Sequence, residues 1–251
     1  VRAALTPDTF LVALMLVNNE TGVVTDIPAV SELVHDAGAV LFCDAVQALG
    51  VMDVDVRVLG ADMVALSAHK VYGPKGVGAL WVRPGLELPP FMLGGEQERG
   101  LRAGTLNVPA IVGFGKAAEL AKERLEADAA EIARLRDRLE VQLLQIDGVS
   151  LNAPGAPRSP KHLNVRVDGV DGEDLLMGLD AAGVYASAGS ACAAGTLEPS
   201  HVLLAMGLSR REAKASVRLS LGRGVTDEMV DVAAETFAEV VGRCRVPVGS
   251  S

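Results

Sequence analysis

The chain alternates between short apolar runs and longer stretches whose apolar residues recur at helical spacing. FLVALMLV (10–17), AVLFCD (39–44), ADMVALSA (61–68) and VGALWVR (77–83) are continuously apolar over strand-like lengths, which predicts strands buried on both faces. Between the first two, PAVSELVHDAG (28–38) has helical spacing, proline at its start and glycine at its end, and so predicts a helix. VQALG (46–50) reads as a short turn or helix. Apolar strands alternating with short helices predict an α/β sheet, mostly parallel, whose ligands sit at the carboxyl ends of the strands.

From Asn107 to Ile146 the pattern changes. KAAELAKERLEADAAEIARLRDRLEVQLLQI mixes charged and apolar residues at i, i+3 and i+4 without a proline, which predicts one long helix or two joined end to end, and a domain boundary nearby. NAPGAPRSP (152–160) is a loop by its proline and glycine content. Beyond it come strand HLNVRV (162–167), helix DGEDLLMGLDAAG (171–183), short strand VYASA (184–188), helix SRREAKAS (209–216), strand VRLSL (217–221) and a final helix over 226–243. This order predicts a smaller α+β unit. No internal repeat is visible, and the tail VPVGSS is expected to fray.

Composition narrows the class. With 251 residues, 49 % of them hydrophobic, the chain can bury a sizeable core in one large or two moderate domains. A net charge of −9 and no Lys/Arg cluster argue against a surface that tracks nucleic-acid phosphates. No apolar run reaches the roughly 18 residues of a membrane span, and VRAALTPDTF lacks the features of a signal peptide, so a cytoplasmic location is expected. Cys43, Cys192 and Cys244 are odd in number and widely separated, so neither a disulfide framework nor a zinc site is expected.

Three places carry candidate chemistry. Lys70 follows ADMVALSAH, in the crevice where open α/β sheets bind ligands, and is placed to attack an aldehyde; the plain alternative is a surface lysine in a turn. Gly73, Gly76 and Gly78 leave room for a ligand or another backbone, but GPKGVG lacks the G-K-[ST] ending of a phosphate-binding Walker loop. Asp44 ends AVLFCD and Gln47 follows it. A carboxylate and an amide there suit a heteroaromatic ring with a protonated nitrogen and a ring hydroxyl, but by itself Asp44 reads first as the cap of a helix starting at Ala45. Cys192 lies among the small residues of SAGSACAAG, a composition suited to a loop that moves. Cys43 and Cys244 read as structural.

Taken together, VNNETGVV (17–24), CDAVQALG (43–50), SAHKVYGPKGVGALWVR (67–83), GGEQERGLRAGTLNVPA (94–110), SAGSACAAGTLEPSHVLLAMG (187–207) and SVRLSLGR (216–223) resemble the cysteine desulfurases of the NifS/IscS type, in that family's order. These are fold-type-I enzymes dependent on pyridoxal 5′-phosphate (PLP). The resemblance implies a large, mostly parallel α/β domain, here residues 1–122, and a smaller C-terminal α+β domain, residues 123–251, carrying the cysteine loop. It implies that Lys70 binds the cofactor's aldehyde, Asp44 partners the pyridinium nitrogen, and Gln47 hydrogen-bonds the 3′ oxygen. Ser67 and His69 would bind the phosphate, with Thr105 reaching the phosphate in the partner subunit of a homodimer. Asn19 and Arg218 would hold the carboxylate of L-cysteine, the planar fork of Arg218 suiting a bidentate pair.

The implied reaction takes sulfur from L-cysteine onto Cys192 as a persulfide and releases alanine, with Lys70 and His69 as proton carriers and no metal. The longer type of cysteine loop implies delivery to a sulfur-acceptor protein, either a scaffold of iron–sulfur assembly or a tRNA-thiolating enzyme. Two departures stand out. Phe42 occupies a position where histidine is common, and the sequence holds no earlier glycine-rich phosphate loop or ring-stacking histidine, since His35, His69, His162 and His201 are not so placed. The chain is therefore expected to be a fragment or to be completed by a second chain. Other readings are a truncated, non-catalytic chain that dimerises or binds a partner, and a selenocysteine lyase or aminotransferase relative.

Overall fold

The structure, a computed structural model, describes residues 1–188 and 198–245. The chain divides into two units, Val1–Val17 with Thr25–Leu125 and Asn18–Val24 with Glu126–Ser251.

In the first unit, β1 (Leu11–Met15), β2 (Val40–Asp44), β3 (Met63–Ser67) and β4 (Gly78–Val82) form one sheet in that order. The first three strands run parallel, with Met15 opposite Asp44 and Asp44 opposite Ala65, so their carboxyl ends share one edge of the sheet. β4 returns antiparallel and sets Gly78 opposite Ser67, where a Cβ at residue 78 would lie 2.7 Å from the Leu66 carbonyl oxygen. The room left by that glycine is therefore taken by the neighbouring strand. Helix α1 (Ile27–Asp36) starts where the Asp26 side chain accepts from the Ala29 N–H, and buries Ile27, Val30 and Val34. A second, short helix, α2 (Val56–Leu59), precedes β3 and is missing from the sequence reading, because four residues cannot display a helical period. Asp62, 1 % exposed, accepts from the Leu41 N–H at 2.7 Å and pairs with His35 Nε2 at 2.9 Å and Arg83 Nε at 2.7 Å, joining α1, β2 and the chain beyond β4.

The predicted long helix is a single one, α3 (Val108–Leu143), of 36 residues. Ala117 and Ala121 on it pack with Val71, Leu49 and Phe114 in the first unit. Ile132, Leu135, Leu139 and Leu143, buried at helical spacing, belong to the second.

The second unit holds a three-stranded antiparallel sheet in the order β5 (Val149–Leu151), β6 (His162–Val167), β7 (Ser216–Ser220). Helix α4 (Gly172–Ala181) lies against α7 (Asp227–Cys244), with Gly178 close to Val240. The shorter α5 (His201–Ala205) and α6 (Arg210–Lys214) are capped by Ser200 and by a Ser209/Glu212 capping box. VYASA is not a strand: Ser187 alone finds a ladder partner, exchanging two backbone hydrogen bonds with Arg218, and one bridged residue does not make a strand. Among the described residues no helix is long and apolar enough to cross a membrane, and no group of His, Cys, Asp and Glu could hold a metal ion.

Candidate active site

In the first unit the candidate residues gather at the carboxyl edge of the parallel strands. Asp44 is the last residue of β2 and Ser67 the last of β3; residues Ala68–Val71 then wind into a 3₁₀ turn, so Lys70 stands on a turn beyond the strand. The turn closes with Tyr72 in the left-handed region at φ 64° and the Gly73 N–H donating to the Ala68 carbonyl at 2.9 Å. A Cβ on residue 73 would press on the Ala68 carbonyl and on Ala117, which accounts for glycine at that point.

Asp44 does not cap a helix, because residues 45–50 form turns; its Oδ1 accepts from the Val46 N–H at 2.9 Å, and Oδ2 has no partner among the described residues. Gln47 is 9 % exposed; its amide makes no hydrogen bond among the described residues and keeps some contact with solvent. Ser67 Oγ and His69 Nδ1 are 2.7 Å apart. Lys70 is exposed, and its ammonium has neither acceptor nor carboxylate partner among the described residues. Open groups of this kind fit a heteroaromatic aldehyde: an amine for the aldehyde, a carboxylate for a ring N–H, an amide for a ring oxygen. Thr105 lies in the exposed stretch before α3, without a described contact to the other five.

The second unit holds the other candidates. The turn over 18–24 is built by Asn18, whose Oδ1 accepts from the Glu20 and Thr21 N–H groups at 3.0 and 2.9 Å. Gly22, at φ +74°, brings the turn against His162, where a Cβ would lie 2.4 Å from His162 Cβ. Asn164 Nδ2 donates to the Glu20 carbonyl at 3.0 Å, and Asn152 links Asn164 to Ser216, so a buried polar chain supports the turn from the sheet. Arg218 on β7 donates from Nη1 to the Asn19 carbonyl at 2.7 Å. Burial pulls the guanidinium below its ordinary pKa, and the nearby Glu20 carboxylate works against that. Glu20, 2 % exposed and paired with Ser200, is absent from the sequence reading; its trace there is a single acid in the middle of VNNETGVV.

Cys192 lies outside the described residues. Cys43 is fully buried, and that burial together with the Asp44 charge pushes its thiol up to about 11, so it holds almost no thiolate at neutral pH. Burial, with Asp174 nearby, also raises Cys244.

Comparison with known proteins extends this picture. The Aminotransferase class-V family matches residues 1–232. Cysteine desulfurase IscS 1 of Archaeoglobus fulgidus is 48 % identical over 95 % of this chain and 62 % of its own length. Among solved structures, a NifS-like protein superposes with a TM-score of 0.87 at 35 % identity, covering 96 % of this chain and 64 % of that one. SspA in complex with cysteine gives 0.72 at 35 % identity over 88 % of this chain and 61 % of that one. The chain thus spans about three-fifths of the length of the relatives it matches. Those relatives are PLP-dependent, as the open amine, carboxylate and amide of the first unit would suit, and the chain belongs to the class-V aminotransferase family.

Proposed function

We propose that the protein carrying this chain is a PLP-dependent cysteine desulfurase that moves the sulfur of L-cysteine onto Cys192 as a persulfide and releases L-alanine. The observation that carries this reading is the group Asp44, Gln47, Ser67, His69 and Lys70 at the carboxyl edge of the parallel sheet, where the Lys70 ammonium, Asp44 Oδ2 and the Gln47 amide have no partner among the described residues. Its likeness to enzymes named as cysteine desulfurases supports the choice of substrate.

Each side chain then has a task. Lys70 holds the cofactor by its aldehyde, Asp44 keeps the ring nitrogen protonated, and Gln47 donates to the ring oxygen. Ser67 and His69 bind the phosphate, together with Thr105 of the partner subunit. Once bound there, the cofactor supplies an electron sink that weakens the carbon–sulfur bond of cysteine. Arg218 and Asn19 bind the substrate carboxylate; the Nη1 bond to the Asn19 carbonyl sets the guanidinium plane and leaves Nε and Nη2 to donate. The Cys192 thiolate attacks the substrate sulfur, so an S–S bond forms as the C–S bond breaks; the bonding pair stays on carbon, which takes a proton. Lys70 and His69 carry protons.

The same reading includes a cytoplasmic homodimer that hands sulfur to an acceptor protein of iron–sulfur assembly or tRNA thiolation. We place the exposed Phe91 (89 %), Leu93 (87 %) and Val112 (66 %) in that dimer's interface, where each would leave water. Incubation of the protein with L-cysteine should add the mass of one sulfur atom at Cys192 and release alanine. Cys192→Ala should abolish both while keeping the cofactor's visible absorbance, and Lys70→Ala should lose that absorbance. A protein that binds PLP but forms no persulfide would refute the desulfurase reading.

A further inference from the structure

Two hydrogen-bonded contacts flank the stretch that carries Cys192, and both end on the residues around the proposed carboxylate site. On one side, the Ser187 N–H donates to the Arg218 carbonyl at 3.1 Å and the Arg218 N–H donates to the Ser187 carbonyl at 2.7 Å. On the other, the Ser200 hydroxyl donates to Glu20 Oε2, while its oxygen accepts from the Leu203 N–H at 3.2 Å and so caps α5. Glu20 is next in sequence to Asn19, whose carbonyl takes the Arg218 Nη1 proton, and its carboxylate acts on the Arg218 charge.

We infer that Glu20 is a positioning residue: through Ser200 it fixes the residue that caps α5, and with the Ser187–Arg218 bridge it ties the described residues on either side of Cys192 in the sequence to those that hold the substrate carboxylate. The inference rests on the desulfurase reading. Glu20 suits the part because a buried carboxylate can only accept. It therefore directs the Ser200 proton toward itself and leaves the hydroxyl oxygen to cap α5. The Glu20 main chain is held separately, by Asn18 Oδ1 on its N–H and by Asn164 on its carbonyl, so loss of the carboxylate bond leaves the turn standing.

The two ideas separate in one experiment on the full-length holoenzyme with L-cysteine. Ser200→Ala and Glu20→Ala should lower the rate of persulfide formation on Cys192 by about tenfold, the scale of a lost hydrogen bond to a charged group, with cofactor absorbance unchanged and KM for cysteine within about twofold. Ser200→Thr, which keeps the hydroxyl, should restore the rate, and the double variant should lose no more than either single one. Unchanged persulfide formation in Ser200→Ala, failure of Ser200→Thr to rescue, or a KM rise that accounts for the whole loss would overturn the inference. Failure of the wild-type enzyme to form the persulfide at all would instead overturn the desulfurase reading.

Discussion

Asp62 shows how much one side chain can hold. Burial alone would raise its pKa, but the Leu41 N–H, His35 and Arg83 together outweigh that and keep it below the ordinary carboxylate range. A carboxylate with a depressed folded pKa contributes its stability above its unfolded value, about 3.9, and loses it as pH falls through the lower folded value. Asp62→Asn should therefore lower stability by about 2–3 kcal/mol at neutral pH, because its partners are left beside an uncharged group, and the gap should close in acid. Urea denaturation of both proteins over an acid pH series checks this; a gap that does not change with pH would refute it. None of this is visible in the sequence, where ADMVAL reads as an apolar run with an acid at its start. Lys70, Asp44 and Gln47 were legible as candidates because each stands just past an apolar run, where a strand must end and present its next residues to solvent. Glu20 was not, since its importance comes from Ser200, 180 positions away in the chain.

At the scale of elements, the periodic segments are legible in the sequence and most of the shortest ones are not. α1, α3, α4 and α7 show their apolar stripes over ten residues or more, whereas α2, α5 and β5 are too short to repeat anything. VYASA has the composition of a strand but pairs through Ser187 alone, because strand formation needs a neighbour for every residue. Glycine marks another contact that composition does not reveal. A Cβ on Gly172, the first residue of α4, would stand 1.9 Å from the Lys214 carbonyl oxygen at the end of α6. Gly172→Ala should cost about 1–3 kcal/mol, since the obstacle is backbone and cannot swing aside, whereas Gly242→Ala, with nothing near its Cβ, should be neutral or slightly stabilising. Paired thermal melts of the two variants decide this, and equal melting temperatures would show that α4 shifts freely.

For the whole molecule, the proposed homodimer makes a prediction of its own. Replacing both Phe91 and Leu93 by serine should shift the sedimentation profile from dimer to monomer with secondary structure retained, and an unchanged profile would show that this surface is not the interface. The sequence by itself determined the alternation of strands and helices, the α/β class of the first unit and the lysine, aspartate and glutamine at its strand ends. These depend on local periodicity and on where apolar runs stop, which the chain states residue by residue. Only the tertiary structure decided that residues 18–24 belong with the second unit, that most of the Gln47 side chain is covered, and that Glu20 joins Ser200. Those facts depend on which distant segments become neighbours and lose their water, a consequence of packing that no single stretch of sequence carries.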